Sequence, residues 1–161
     1  MAEYNVGFST KLIVAARFIR DQGIDSEDAI RTVLYLSKLA CEITIKALLE
    51  KAGKPVDQIK AHGHDLMKLL LNVGQCKVYR EVTKGTLRPV PAKCLNSETV
   101  DDQYGNATVG NILRAEELGA SKYPNEIRYG NNLRDYHPEL WLKTATIIRD
   151  WAYDHWDDIH I

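Results

Sequence analysis

The chain has 161 residues, enough for one domain with a core of its own and no need of disulfide or metal staples. Hydrophobic residues make up 45% and charged residues 27%, an ordinary globular balance that excludes general disorder. With 21 basic against 22 acidic side chains, no global field draws the protein to nucleic acid or membrane, so any anion site must be local.

The first predicted element is a helix over 8–20. Phe8, Leu12, Ala15 and Ile19 recur at helical spacing as its inner stripe, and Asp21-Gln22-Gly23 ends it. A second helix starts at the Ser26 cap and runs to Ala52, ahead of Gly53 and Pro55. It is apolar over most of its circumference, and only Arg31, Tyr35, Lys38, Glu42 and Lys46 form a strip that reads as solvated. Such a helix is central, packed by neighbours on two sides or by a partner subunit. A third follows the His62-Gly63-His64 turn, with Asp65 as cap, Leu66, Leu69 and Leu70 inside, and Gly74 as its end. A last helix starts at Pro138 and reaches about residue 160.

Between 75 and 121 the periodicity weakens. Residues 77–82 fit a short strand or a helix, 87–92 are extended around Pro89 and Pro91, 100–110 are polar, and 111–118 fit one short helix. The expected architecture is therefore all-α, an up-and-down bundle of four or five helices in one domain over 1–161, with 75–121 as a long irregular insertion.

Cys41, Cys76 and Cys94 are odd in number and form no CxxC pair, which fits free thiols in a reducing cytoplasm. The apolar run at 12–16 is too short for a signal peptide or a membrane span. Gly105 and Gly110 have phosphate-loop spacing, but Asn111-Ile112 stands where the loop needs Lys-Ser/Thr. His62, His64 and Asp65 lack a complementary ligand cluster, so their plain reading is a turn in which Asp65 caps and His64 bonds backbone. No metal and no cofactor are expected.

Two clusters carry candidate chemistry. Lys122, Tyr123, Arg128, Tyr129 and Arg134 interleave cations with aromatic rings in a loop leading to a helix N-terminus, a pattern that can bind phosphate and stack a base. As a plain loop, the same residues would close one end of the bundle. On the last helix, Arg149 and His155 offer a phosphate-holding guanidinium and a proton-transferring imidazole, but their six-residue offset places them about 120° apart. The tryptophans Trp141, Trp151 and Trp156 are spread around that helix, so at least one should meet solvent or a partner.

The run Ser37-Lys38-Leu39-Ala40-Cys41-Glu42-Ile43-Thr44-Ile45-Lys46-Ala47-Leu48-Leu49, then His64-Asp65-Leu66, then Glu126-Ile127-Arg128-Tyr129, resembles the HEPN family (higher eukaryote and prokaryote nucleotide-binding) over about 8–74 and 122–160. The resemblance implies an antiparallel helical bundle, usually a homodimer. It also implies one of two branches. One holds metal-independent ribonucleases, often toxins or defence proteins, with an Arg and a His separated by four to six intervening residues near the start of the last helix. The other holds non-catalytic modules that bind a nucleotide, RNA or a protein such as a minimal nucleotidyltransferase or an antitoxin. Arg149 and His155 match the spacing but lie halfway along the final helix, so the non-catalytic branch leads. In that branch Lys122, Tyr123, Arg128, Tyr129 and Arg134 form the ligand-facing loop, with Glu42 and Lys46 lining the same groove by helical phase. The alternatives are a ribonuclease using Arg149 and His155, and a dimeric interaction protein.

Overall fold

Asn5 accepts a hydrogen bond from the Gly7 amide and starts α1 (Val6–Gln22), which Gly23 ends at φ 112°. The computed structural model describes residues 1–101, 103 and 107–161. Ser26 caps α2 (Glu27–Lys51), whose first turn carries Glu27 and Asp28. After the short α3 (Val56–Lys60), Asp65 accepts from the Lys68 amide and caps α4 (Leu66–Gln75). An antiparallel ribbon follows, β1 (Lys77–Thr83) with β2 (Thr86–Pro91), turning at Gly85. β3 (Thr99–Asp101) pairs with β4 (Ala107–Thr108), then come α5 (Val109–Leu113), a 3-10 turn (Ala115–Leu118), α6 (Asn125–Tyr129) and α7 (Pro138–Asp154).

The α1–α2 hairpin is the frame. Ser9 Oγ donates to the Ala40 carbonyl at 3.0 Å and shares a 2.6 Å bond with Thr44 Oγ1, so small residues set a close helix contact. α7 lies against both helices, and α4 packs on α2. A single core joins Leu12, Leu48, Leu69, Leu95, Ile127, Trp141 and Ile148. No helix among the described residues is long and apolar enough to cross a membrane.

The all-α expectation is overturned, because two antiparallel ribbons make the fold mixed α and β. The β-branched residues Val78, Val82, Thr83, Thr86 and Val90 around a turn glycine favour pairing over a helix. Pro89 and Pro91 are tolerated because a two-stranded ribbon consists of edges. The segment 75–121 is thus built of strands, α5 and 3-10 turns rather than irregular chain, and the single helix expected over 111–118 is two pieces broken at Arg114. Within the 100–110 stretch, residues 102 and 104–106, which include Gly105, lie outside the described residues.

Three details also change. Gly74 lies inside α4. α7 stops at Asp154, because the final residues turn back and His160 exchanges backbone hydrogen bonds with Lys77 of β1. In α1 the buried stripe is Val6, Ser9, Leu12, Ile13 and Ala16, which turns Phe8 and Ala15 outward; the Ser9 contact with α2 fixes that rotation.

Candidate functional site

The polar strip of α2 was expected in solvent, and the structure covers it. Residues 120–137 lie across this row, and they and the His64 turn supply partners along it. Arg31 bonds Glu27 on its own helix and reaches the carbonyls of Glu126, Ile127 and Gly130, satisfying the C-terminal end of α6. Gly130 is required there, since a Cβ would fall 2.5 Å from the Glu126 carbonyl oxygen. Tyr35 accepts from Arg128, whose guanidinium stands 4.7 Å from the Tyr35 ring centre.

Deeper in, Lys38 and Asp135 form an ion pair with both side chains 1% exposed. Asp135 also accepts from Trp141 Nε1 at 2.6 Å and from the Tyr136 amide at 2.7 Å. One helical turn on, Glu42 gathers three partners. Lys46 Nζ lies 2.7 Å from Oε1, the Tyr123 hydroxyl donates to Oε2 at 2.8 Å, and His64 Nδ1 sits 3.0 Å from each oxygen. Burial, then the Glu42 charge and hydrogen bond, push the Tyr123 phenol far above its ordinary range. A fully bonded carboxylate of this kind orders a loop; it does not face a ligand.

The predicted site residues therefore separate. Glu42, Lys46 and Tyr123 are buried at the base, where their polar atoms bond one another. Lys122, Arg128, Tyr129 and Arg134 stay on the outer surface of the same segment. Arg134 is exposed and stands in the walls of two clefts of about 330 and 370 Å3. Ala120, Asp135 and Tyr136 line one cleft; Ser121, Gly130, Asn131 and Asn132 line the other. Of the acids nearby, Asp135 is paired with Lys38, while Glu126, exposed in the wall of the second cleft, accepts from the Lys122 amide at 2.6 Å and keeps its charge. Arg134 has no ion-pair partner among the described residues. The Ser121 hydroxyl is held between the Asn132 carbonyl and the Arg134 amide. The clefts thus offer one available guanidinium and two amide side chains beside the Glu126 carboxylate, which suits an anion that also carries a hydrogen-bond donor.

His64 is the residue whose placement the sequence hid. It bonds the Glu42 carboxylate instead of backbone, across 22 positions, and stays 57% exposed. Its only sequence signal is the polar row on a helix otherwise apolar all round, which demands partners from elsewhere in the chain. Asp65 caps α4 as expected, and among the described residues no group of three metal-ligating side chains forms.

Arg149 and His155 are not brought together. Arg149 is 13% exposed and paired with Asp150 at 2.7 Å. His155 lies beyond the last turn of α7, its ring 4.4 Å from that of Trp151. No hydrogen bond or ion pair joins the two. Trp141 and Trp151 are core residues, while Trp156 is half-buried, with Lys51 Nζ 5.6 Å from its ring. No family model matches the chain, and no curated protein or solved structure matches it either.

Proposed function

We propose that the protein is a non-catalytic HEPN-like module that binds a nucleotide, or the phosphates of RNA, through the outer surface of residues 119–136. The observation that carries this reading is Arg134, exposed between two adjoining clefts with no ion-pair partner among the described residues, while Asp135 beside it is neutralised by Lys38. Lys122 adds charge, and Tyr129, 77% exposed, offers a ring for a base to stack on. The buried Glu42 and Lys38 clusters hold this surface in place from beneath.

The module works as a homodimer in the cytoplasm. The unpaired thiols of Cys41, Cys76 and Cys94 support the reducing setting. A partner protein such as a minimal nucleotidyltransferase or an antitoxin would meet the same loop, as the family resemblance implies.

Calorimetric titration with ATP, AMP and a single-stranded oligoribonucleotide tests the reading. Binding should weaken about 10–100-fold in Arg134→Ala, the range of one charge-assisted hydrogen-bond set. Absence of binding to all three, or equal binding by Arg134→Ala, overturns it. RNA left uncut in EDTA is the expected companion result; cleavage lost in both Arg149→Ala and His155→Ala would place the protein in the ribonuclease branch instead.

A further inference from the structure

The β1–β2 ribbon is fastened to the body only at its base. There Val78 is buried, Lys77 exchanges backbone hydrogen bonds with His160, and the Tyr79 amide donates to Asp158 at 3.2 Å. The Tyr79 ring stacks on that of His160, with 5.2 Å between centres. From Arg80 to Pro89 every residue is exposed. At about 3.3 Å per residue the strands carry the Gly85 turn roughly 16 Å past Tyr79. A lone hairpin is marginal in water, so the chain maintains this arm through its clamp at the base.

The charges on the arm add a further cost. Lys77, Arg80, Lys84, Arg88 and Lys93, all exposed, stand against the single acid Glu81 in this stretch of a chain whose net charge is -1. The ladder sets Arg80 directly opposite Arg88, on the face that carries Val78 and Val90 at the base. Glu81 lies opposite Leu87 on the reverse face, and its carboxylate accepts from the Gly85 amide at 2.6 Å. Like charges opposed across a ribbon destabilise it, and neither arginine has an ion-pair partner among the described residues. An anion held between the two guanidinium groups turns that repulsion into charge-assisted hydrogen bonds.

The shape of the arm selects among polyanions. Its cationic face carries no aromatic ring, so it can grip phosphates but not stack bases as a single-strand platform does. The turn, Thr83-Lys84-Gly85-Thr86, is polar, which disfavours dipping the tip into a bilayer. A two-stranded ribbon fits the major groove of B-form DNA, about 12 Å wide, whereas the major groove of A-form RNA is too narrow for it. Entering tip first, the ribbon brings Arg80, Lys84 and Arg88 between the two phosphate rows that border the groove.

From this we infer that the β1–β2 ribbon is a DNA-binding arm, which enters the major groove of the double helix and holds its phosphates through Arg80, Lys84 and Arg88. The arm shares no residue with the Arg134 clefts and does not depend on the nucleotide reading. Fluorescence anisotropy of a labelled, mixed-sequence duplex DNA, titrated with the full chain at several salt concentrations, tests it beside Arg80→Gln/Arg88→Gln and Lys84→Gln. The wild type should lose affinity with salt at a log–log slope of at least about 2.7, the value for three phosphates. The double variant should bind at least about tenfold more weakly at low salt with a slope smaller by about 2, and Lys84→Gln should lower the slope by about 1. Free of DNA, the double variant should be no less stable in urea than the wild type, because a repulsive pair has gone. No binding to duplex DNA at low salt overturns the inference, as does an affinity and slope unchanged in the double variant. Tighter binding of duplex RNA, single-stranded RNA or phosphatidylserine vesicles than of duplex DNA also overturns it. A double variant that loses both binding and urea stability assigns the arginines to the fold and overturns it as well.

Discussion

Two faces of α2 contrast in a way that inverts the usual rule. The face bearing Lys38, Glu42 and Lys46 is buried, and the face bearing Leu36, Leu39 and Ile43 is half-open. Burying charge is costly unless every charge finds a partner, and residues 120–137 together with the His64 turn supply those partners along the row. Among the described residues, Leu36, Leu39 and Ile43 pack only partly against the core. Coverage is thus decided by what the rest of the chain can offer to a face, not by the polarity of the face alone.

The hardest way to break the polar face is to remove one half of its most buried pair. Asp135→Ala strands the Lys38 ammonium, 1% exposed, and leaves the Trp141 N–H without its acceptor. Stability should fall by about 3–5 kcal/mol in urea denaturation. Replacing both partners, as Lys38→Met with Asp135→Leu, should recover most of that loss, because no charge then remains inside. A loss under about 1 kcal/mol in Asp135→Ala would mean that Lys38 reaches water and the face is not closed.

Next in size is Tyr123→Phe. It deletes one hydrogen bond to the Glu42 carboxylate at 2.8 Å and keeps the ring in place. The expected cost is about 1.5–3 kcal/mol, the range for a bond to a charged group. The circular dichroism spectrum should not change, since Lys46 and His64 still hold the carboxylate.

Local signals in the sequence carried α2, its Ser26 cap and the Asp65 cap of α4 almost to the residue, because each cap acts within three positions of itself. Lys122, Arg128, Tyr129 and Arg134 are exposed, but the loop expected over 122–134 is interrupted by α6, which carries Arg128 and Tyr129, a five-residue helix too short to show a periodicity. What else was not legible is non-local. Phe8 and Ala15 share the helical phase of Leu12, and only the Ser9 contact with Thr44, 35 positions away, rotates them outward. Glu42 and Lys46 looked solvated because their cover, Tyr123 and His64, comes from two separate loops. The β1–β2 ribbon was left ambiguous because an exposed two-stranded element has no buried face to impose strict alternation.

A third side of α2 gives a smaller, pH-dependent contrast. Burial pushes the Cys41 thiol up to about 12, against an ordinary value near 9. Between those values the unfolded chain releases the proton while the native state keeps it, so stability falls as pH rises through this window. The slope approaches about 1.4 kcal/mol per pH unit for this group alone. Urea midpoints from pH 8 to pH 10.5 should decline more steeply for the wild type than for Cys41→Ala, and parallel curves would show that the thiol is reachable by water.

The smallest effect sharpens the comparison within one carboxylate. His64 and Tyr123 bond the same Glu42, yet the imidazole is 57% exposed and the phenol nearly enclosed. Water can replace an exposed partner, so His64→Ala should cost about 0.5–1 kcal/mol, well below Tyr123→Phe. The double variant should cost more than the sum, because Glu42 would then keep Lys46 alone among its three partners. Urea denaturation of the four proteins in that cycle reads the coupling directly. A larger cost for His64→Ala than for Tyr123→Phe would mean that the imidazole, not the phenol, is the main hold on the carboxylate, and that the cover over α2 is fastened from the His64 turn rather than from residues 120–137.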